Sequence, residues 1–213
     1  MRLNSFQLKW IAILTMAVDH VGAVLFPGQL IFRYIGRISF PIFCFLLTEG
    51  FFHTRNIEKY MIRLGIFALI SEIPYDLAFR NVLLEAEHQN VFFTLFLGVL
   101  LMYILEKSGE IWIKATWIIL FSWIAATIRS DYGYKAIILI CIYYFLRNNL
   151  SAKTILGTGW NIFWGNTIQY YGVLATIPIC LYNGEKGKSM KYFFYAFYPV
   201  HLLILYIVNR LIF

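Results

Sequence analysis

Asp19 and His20 stand side by side in an otherwise apolar run. Histidine changes charge near neutral pH, so His20 has the chemistry of a general base that accepts a proton and returns it. Asp19 could orient that ring. Neighbours in sequence lie about 100° apart around a helix, however, so Asp19 could instead pair with an arginine such as Arg37 and leave His20 to face a substrate. Arg33 and Arg37 are one turn apart on the next apolar run, suited to positioning an acceptor or stabilising an oxyanion. Pro41, four residues further on, cannot donate to the Arg37 carbonyl, which predicts a kink there. Glu72 and Asp76 flank Pro74 and Tyr75 one turn apart and offer two carboxylates at a similar depth. Asn90, Thr94 and Asp131 fall in the same layer. In the last apolar run Tyr198 and His201 share a face, Pro199 predicts another kink, and His201 could meet His20 or assist acyl transfer.

A second group of residues suits anion binding. His53, Arg55, Lys59 and Arg63 form one basic cluster, and Lys186, Lys188 and Lys191 another. Membrane topology alone would account for both; the functional reading is that they cradle the phosphates of a nucleotide-type donor such as coenzyme A. Glu49 would pair with one of these cations or line the donor tunnel. Cys44, Cys141 and Cys180 are odd in number, lie within apolar runs and form no Cys-x-x-Cys pair. They read as small buried hydrophobes, and no metal is expected.

The elements that must carry these residues follow from composition. Of 213 residues, 61% are hydrophobic and only 14% charged, against about a quarter charged in an ordinary soluble domain. Such a chain calls for bilayer hydrocarbon as its solvent. The expected fold is all-α: one polytopic transmembrane helical bundle over 1–213, with candidate spans near 8–26, 30–52, 60–79, 91–105, 111–128, 134–147, 152–165, 168–182 and 191–212. Nine helices are expected, eight or ten being possible; 152–165, with Lys153 and two glycines, is the weakest. The N-terminus resembles a signal peptide but reads as a retained first helix, because Asp19 and His20 interrupt its apolar run. The net charge of +7 lies in short clusters between apolar runs, not along one face, so nucleic acid is not expected as a partner. Lys and Arg gather in alternate connections, which places the N-terminus in the cytoplasm and the C-terminus outside.

The segments Leu8 to Gly22, Arg33 to His53, Ile70 to Leu77, Asn90 to Leu97, Ser130 to Gly133 and Lys191 to Leu202 resemble the TraX family, most specifically in Asp-His, Gly-Arg-x-x-Phe-Pro and Tyr-Pro-x-His. The resemblance implies a bacterial cell-membrane acetyltransferase that takes its acyl group from acetyl coenzyme A, the family's named activity being N-terminal acetylation of conjugative pilin. It implies a reaction centre around Asp19, His20, Arg37 and His201, without saying which histidine is the base. Arg33, Glu72, Asp76, Asn90, Tyr198 and Asp131 are expected on the acceptor side, the acceptor being a peptide, protein or glycan amine or hydroxyl. The leading mechanism uses His20 as base, oriented by Asp19. Two other readings stay open: a small proton-coupled transporter or channel, which buried ionisable residues equally suit, and a non-catalytic membrane scaffold.

Overall fold

Long apolar runs separated by polar turns leave the backbone one economical conformation, the helix, which satisfies its own N–H and C=O groups. The computed structural model describes residues 2–164 and 167–212. In chain order it contains α1 (Ser5–Val24), α2 (Leu30–Gly36), α3 (Ser39–His53), α4 (Ile57–Arg80), α5 (Val91–Lys107), α6 (Ile111–Thr127), α7 (Gly133–Phe145), α8 (Leu150–Phe163), a 3₁₀ helix (Thr167–Ala175), α9 (Thr176–Cys180) and α10 (Lys191–Ile212). With α2–α3 and the 3₁₀ helix–α9 each counted as one segment, the described residues form nine helical segments, and no strand. Asparagines start several of them: Asn4, Asn56, Asn90 and Asn149 each accept a backbone N–H of the first turn.

The second segment differs from expectation. It breaks between Gly36 and Ser39, one turn before Pro41, instead of kinking at the proline. Pro41 then sits in the first turn of α3, where its missing N–H would have had no intrahelical partner. Helices α4 and α10 run on through Pro74 and Pro199. The weak span 152–165 becomes α8, its last residue lying outside the described residues; at 14 residues it is about 21 Å long, short of a hydrocarbon core of about 30 Å. Lys153 is nonetheless buried in it, donating to the Arg147 carbonyl and lying over the Phe45 ring. The eighth segment tightens into a 3₁₀ helix where Gln169 donates to Asn161 Oδ1, while Asn161 donates to the Gly157 carbonyl. Cys44 and Cys141 are buried as expected, whereas Cys180 is exposed.

The segments run alternately between two ends of the bundle. At one end Leu3 pairs with Tyr182, Ser5 N–H donates to Glu185, and the Arg147 guanidinium lies over Phe52 near the end of α3. At the other, Asn209 donates to the Val24 carbonyl, Arg210 to Asn81, Lys135 to the Trp164 carbonyl, and Gln89 pairs with Ser130. Leu8, Ile13, Phe45, Leu101, Met102, Ile137 and Ile140 fill the core between them. The exterior is apolar too: Leu69, Trp112, Ile119, Phe163 and Leu211 are each more than three-fifths exposed, a surface that water does not favour and hydrocarbon does. Leu30–His53 and Lys191–Ile212 are long and apolar enough to cross a membrane.

Helices α1 and α2 approach so closely that a Cβ on Gly22 would lie 2.2 Å from Phe32 Cβ, whereas one on Gly28 would meet nothing within 4 Å. Gly22→Ala is expected to destabilise the fold by about 1–3 kcal/mol through overpacking; Gly28→Ala is expected to leave the detergent-solubilised melting temperature near wild type.

Candidate functional site

Asp19, on the buried face of α1, meets both arginines of the second segment. Arg33 Nη1 donates to its Oδ2 at 2.6 Å, and Arg37 Nη2 donates to Oδ1 and Oδ2 at 2.7 Å each. The contact needs Gly36, since a Cβ there would lie within 2.1 Å of Asp19 Cβ. Arg37 is the more buried of the two guanidiniums and also lies over the ring of Tyr132, 5.8 Å from its centroid. Tyr132 holds a left-handed backbone (φ 65°) and stacks on Phe40. Its neighbour Asp131 lies within electrostatic range of Arg37, but burial outweighs that attraction and pushes its carboxyl up to about 6. Thr94 donates to the Asp131 carbonyl at 2.5 Å.

Because Asp19 turns to the arginines, another group orients His20. His20 Nδ1 lies 2.6 Å from His201 Nε2, and His201 Nδ1 lies 2.7 Å from the Phe197 carbonyl oxygen. These two distances fix the tautomers. A carbonyl only accepts, so His201 Nδ1 carries its proton and Nε2 is the acceptor. His20 Nδ1 must then be the donor, which leaves His20 Nε2 with a free lone pair. The arrangement gives a neutral base, held from behind by a second imidazole. Phe79 and Tyr198 wall the His20 ring edge-on, at 5.3 and 5.9 Å between centroids.

The expected acceptor-side residues divide. Glu72 is buried beside Asn90, whose side-chain amide donates to Glu72 Oε2 and to the Ala68 carbonyl while its Oδ1 caps α5 at Phe92. Asn90 therefore binds α4 to α5 with every group its side chain offers. Asp76 Oδ2 accepts the Glu85 N–H at 2.7 Å. Glu72 Oε1, Asp76 Oδ1 and the neighbouring Ser71 Oγ are buried without a hydrogen-bond partner. The loop beyond α4 brings Glu85, Glu87 and His88 within 4.8 Å of one another, with Arg80 on Glu85 and Arg129 on Glu87. Sequence reading did not single out that cluster, whose members are scattered among the polar residues of an ordinary turn.

At the Leu3–Tyr182 end a cavity of 560 Å³ opens, lined at its mouth by His53, Arg55, Arg63, Lys186, Lys188 and Lys191, with a second hollow of 460 Å³ that adds Lys59. All seven expected basic residues thus gather here from two stretches of chain, joined by Lys9 from a third. Glu49 lines the same cavity, 3.9 Å from His53 Nδ1. Deeper in, the lining turns apolar and ends at Met16, one turn before His20, and at Tyr198. Chemically this is a basic mouth, suited to a polyanion, on an apolar throat that ends one turn short of His20.

An all-helical bundle with an apolar exterior and an ionisable interior defines a membrane protein. The family model described as TraX protein matches residues 5–209, and the chain belongs to the TraX family. It is 31% identical over 232 residues to the Probable fimbrial assembly protein FimC, serogroup H1, of Dichelobacter nodosus, covering 95% of this chain and 94% of that protein. It is 32% identical over 101 residues to the Uncharacterized protein RP591 of Rickettsia prowazekii (strain Madrid E), covering 47% of this chain and 37% of that protein. No solved structure matches it.

Asp19→Ala would leave two partly buried guanidiniums uncompensated, and is expected to destabilise the protein by about 3 kcal/mol, the low end for breaking a buried pair. Arg33→Gln, at the more exposed partner, is expected to cost less. Denaturation of the two variants in the same detergent checks the order.

Proposed function

We propose that this chain is a multi-pass acetyltransferase of the bacterial cell membrane, with its N-terminus and basic end in the cytoplasm. The observation that carries the reading is the cavity that joins seven basic side chains at its mouth to Met16 and Tyr198 beside the histidine pair. Its volume falls within the range of about 300–1,000 Å³ usual for small-ligand sites. Acetyl coenzyme A fits that order: its phosphates meet the cations, its arm follows the apolar throat, and its thioester arrives near His20. The distance along α10 from Lys191 to His201 is about 15 Å at about 1.5 Å per residue.

An amine or hydroxyl acceptor attacks the thioester carbonyl while His20 Nε2 takes its proton. The tetrahedral intermediate then expels the thiolate, to which His20 returns the proton. A C–S bond is broken and a C–N or C–O bond formed. Arg37 and Arg33 lend positive charge on the acceptor side. The unpaired carboxylate oxygens of Glu72 and Asp76 favour an amine, and the likeness to a fimbrial assembly protein supports a fimbrial subunit as the protein acceptor. A single domain, 1–213, holds both half-sites.

Saturable thermal stabilisation by acetyl coenzyme A is expected in detergent-purified protein, and its loss when Lys186, Lys188 and Lys191 are neutralised. His20→Ala is expected to fold, to bind the donor, and to transfer acetyl about 10² to 10⁴ times more slowly. His201→Ala is expected to lose less, since His20 keeps its lone pair in the fraction protonated at Nδ1. Folded wild-type protein that acetyl coenzyme A does not stabilise would overturn the reading and favour a transporter.

A further inference from the structure

Acylation of an amine has a proton problem that one histidine does not solve. An alkyl or N-terminal amine is protonated at neutral pH, with ordinary values of about 10.4 and about 7.7–8.0. One proton must leave before nitrogen has a lone pair, and a second leaves as the amide forms. His20 Nε2 handles the second and hands it to the departing thiolate. The first needs a separate base.

The turn Ser71 to Asp76 on α4 supplies one. Glu72 is 7% exposed, and its Oε2 is taken by Asn90 while Oε1 has no hydrogen-bond partner. Among the described residues no Lys or Arg forms an ion pair with Glu72 or Asp76, Arg80 being held by Glu85. A buried carboxylate with no cation beside it is costly unless it holds a proton or a positively charged ligand. The charged and titratable groups that face it are few. Asp76 and Tyr75 share its helix, and Tyr198 faces it from α10, within electrostatic range of Glu72, Tyr75 and Asp131. The ring of Tyr198 also touches both histidines, 5.9 Å from His20 and 5.7 Å from His201 between centroids. One tyrosine therefore lies against the histidine pair and within electrostatic range of the Glu72 carboxylate.

Resting on the acetyl-transfer reading, we propose that Glu72 binds the acceptor as its ammonium ion and takes the first proton at Oε1, so that two different groups remove the two protons. The ammonium N–H bond breaks, its electron pair stays on nitrogen, and Glu72 becomes a neutral carboxylic acid. The free amine attacks the thioester, and His20 carries the second proton from nitrogen to sulfur. Asp76, one turn towards the Glu85 loop and also with an unpaired oxygen, receives the proton from Glu72 on its way out.

The test compares Glu72→Gln with wild type, using acetyl coenzyme A and two amines, glycinamide and n-butylamine, from pH 6.5 to 10. The amide keeps an acceptor oxygen for Asn90, so melting temperature and donor binding should match wild type. At pH 7 acetylation of n-butylamine should fall by about 10², that of glycinamide by less, and both should recover towards wild type as the pH approaches each amine's own pKa. His20→Ala should not recover. A Glu72→Gln rate equal to wild type at every pH, or reduced by one factor throughout, would overturn the division of labour and leave acetyl transfer standing. Wild-type protein that binds the donor and acetylates neither amine would overturn both.

Discussion

The contact between Asp19 and the two guanidiniums of Arg33 and Arg37 sets the geometry on which the site depends. Removing these charges from water costs several kcal/mol each, and only close, well-aligned partners repay it. Three short hydrogen bonds do so here. They draw α2 against α1 at Gly22 and Gly36, where any side chain would intrude. With the rotation of α1 fixed in this way, His20 points about 100° away from the arginines. It meets α10, where His201 waits with its own orientation fixed by the Phe197 carbonyl.

The chemistry of the interior then separates by level. One end of the bundle is basic around an open cavity; the middle holds the histidine pair; beyond Tyr198 lie carboxylates with unpaired oxygens. Such an order suits a reaction whose two substrates differ in charge, a polyanionic donor and a cationic acceptor. The basic mouth would attract the first, and the unpaired carboxylate oxygens of Glu72 and Asp76 the second. The break between α2 and α3 and the 3₁₀ stretch at Thr167–Ala175 both border this interior. Gly172, which lies in that 3₁₀ stretch, has no room for a side chain beside Asn161, Gln169 and the Arg37 carbonyl. Irregular backbone is tolerated in such a bundle where protein surrounds it.

Much of this was legible in the sequence because hydrophobicity marks helices well in so apolar a chain. All nine expected segments are present, and the seven basic residues do converge. Proline position was less informative: Pro41 could mark a kink or a first turn, and local sequence favours neither. The partner of Asp19 stayed open for a related reason, since adjacent residues on a helix point to different neighbours. The pairing of His20 with His201 joins residues 181 apart, and only the packing of α1 on α10 selects it. The use of Asn90 against Glu72 was equally hidden, since an asparagine at a helix start reads as a cap whatever its amide does.

The claim that donor and acceptor reach one histidine pair from opposite ends is tested most directly in sealed proteoliposomes of known orientation. Acetyl coenzyme A would be supplied on one face and a membrane-impermeant peptide with a free N-terminus on the other. Acetylated peptide should form when the donor is on the face of Lys186, Lys188 and Lys191 and the peptide on the opposite one. Product that forms only when both share a face would contradict it.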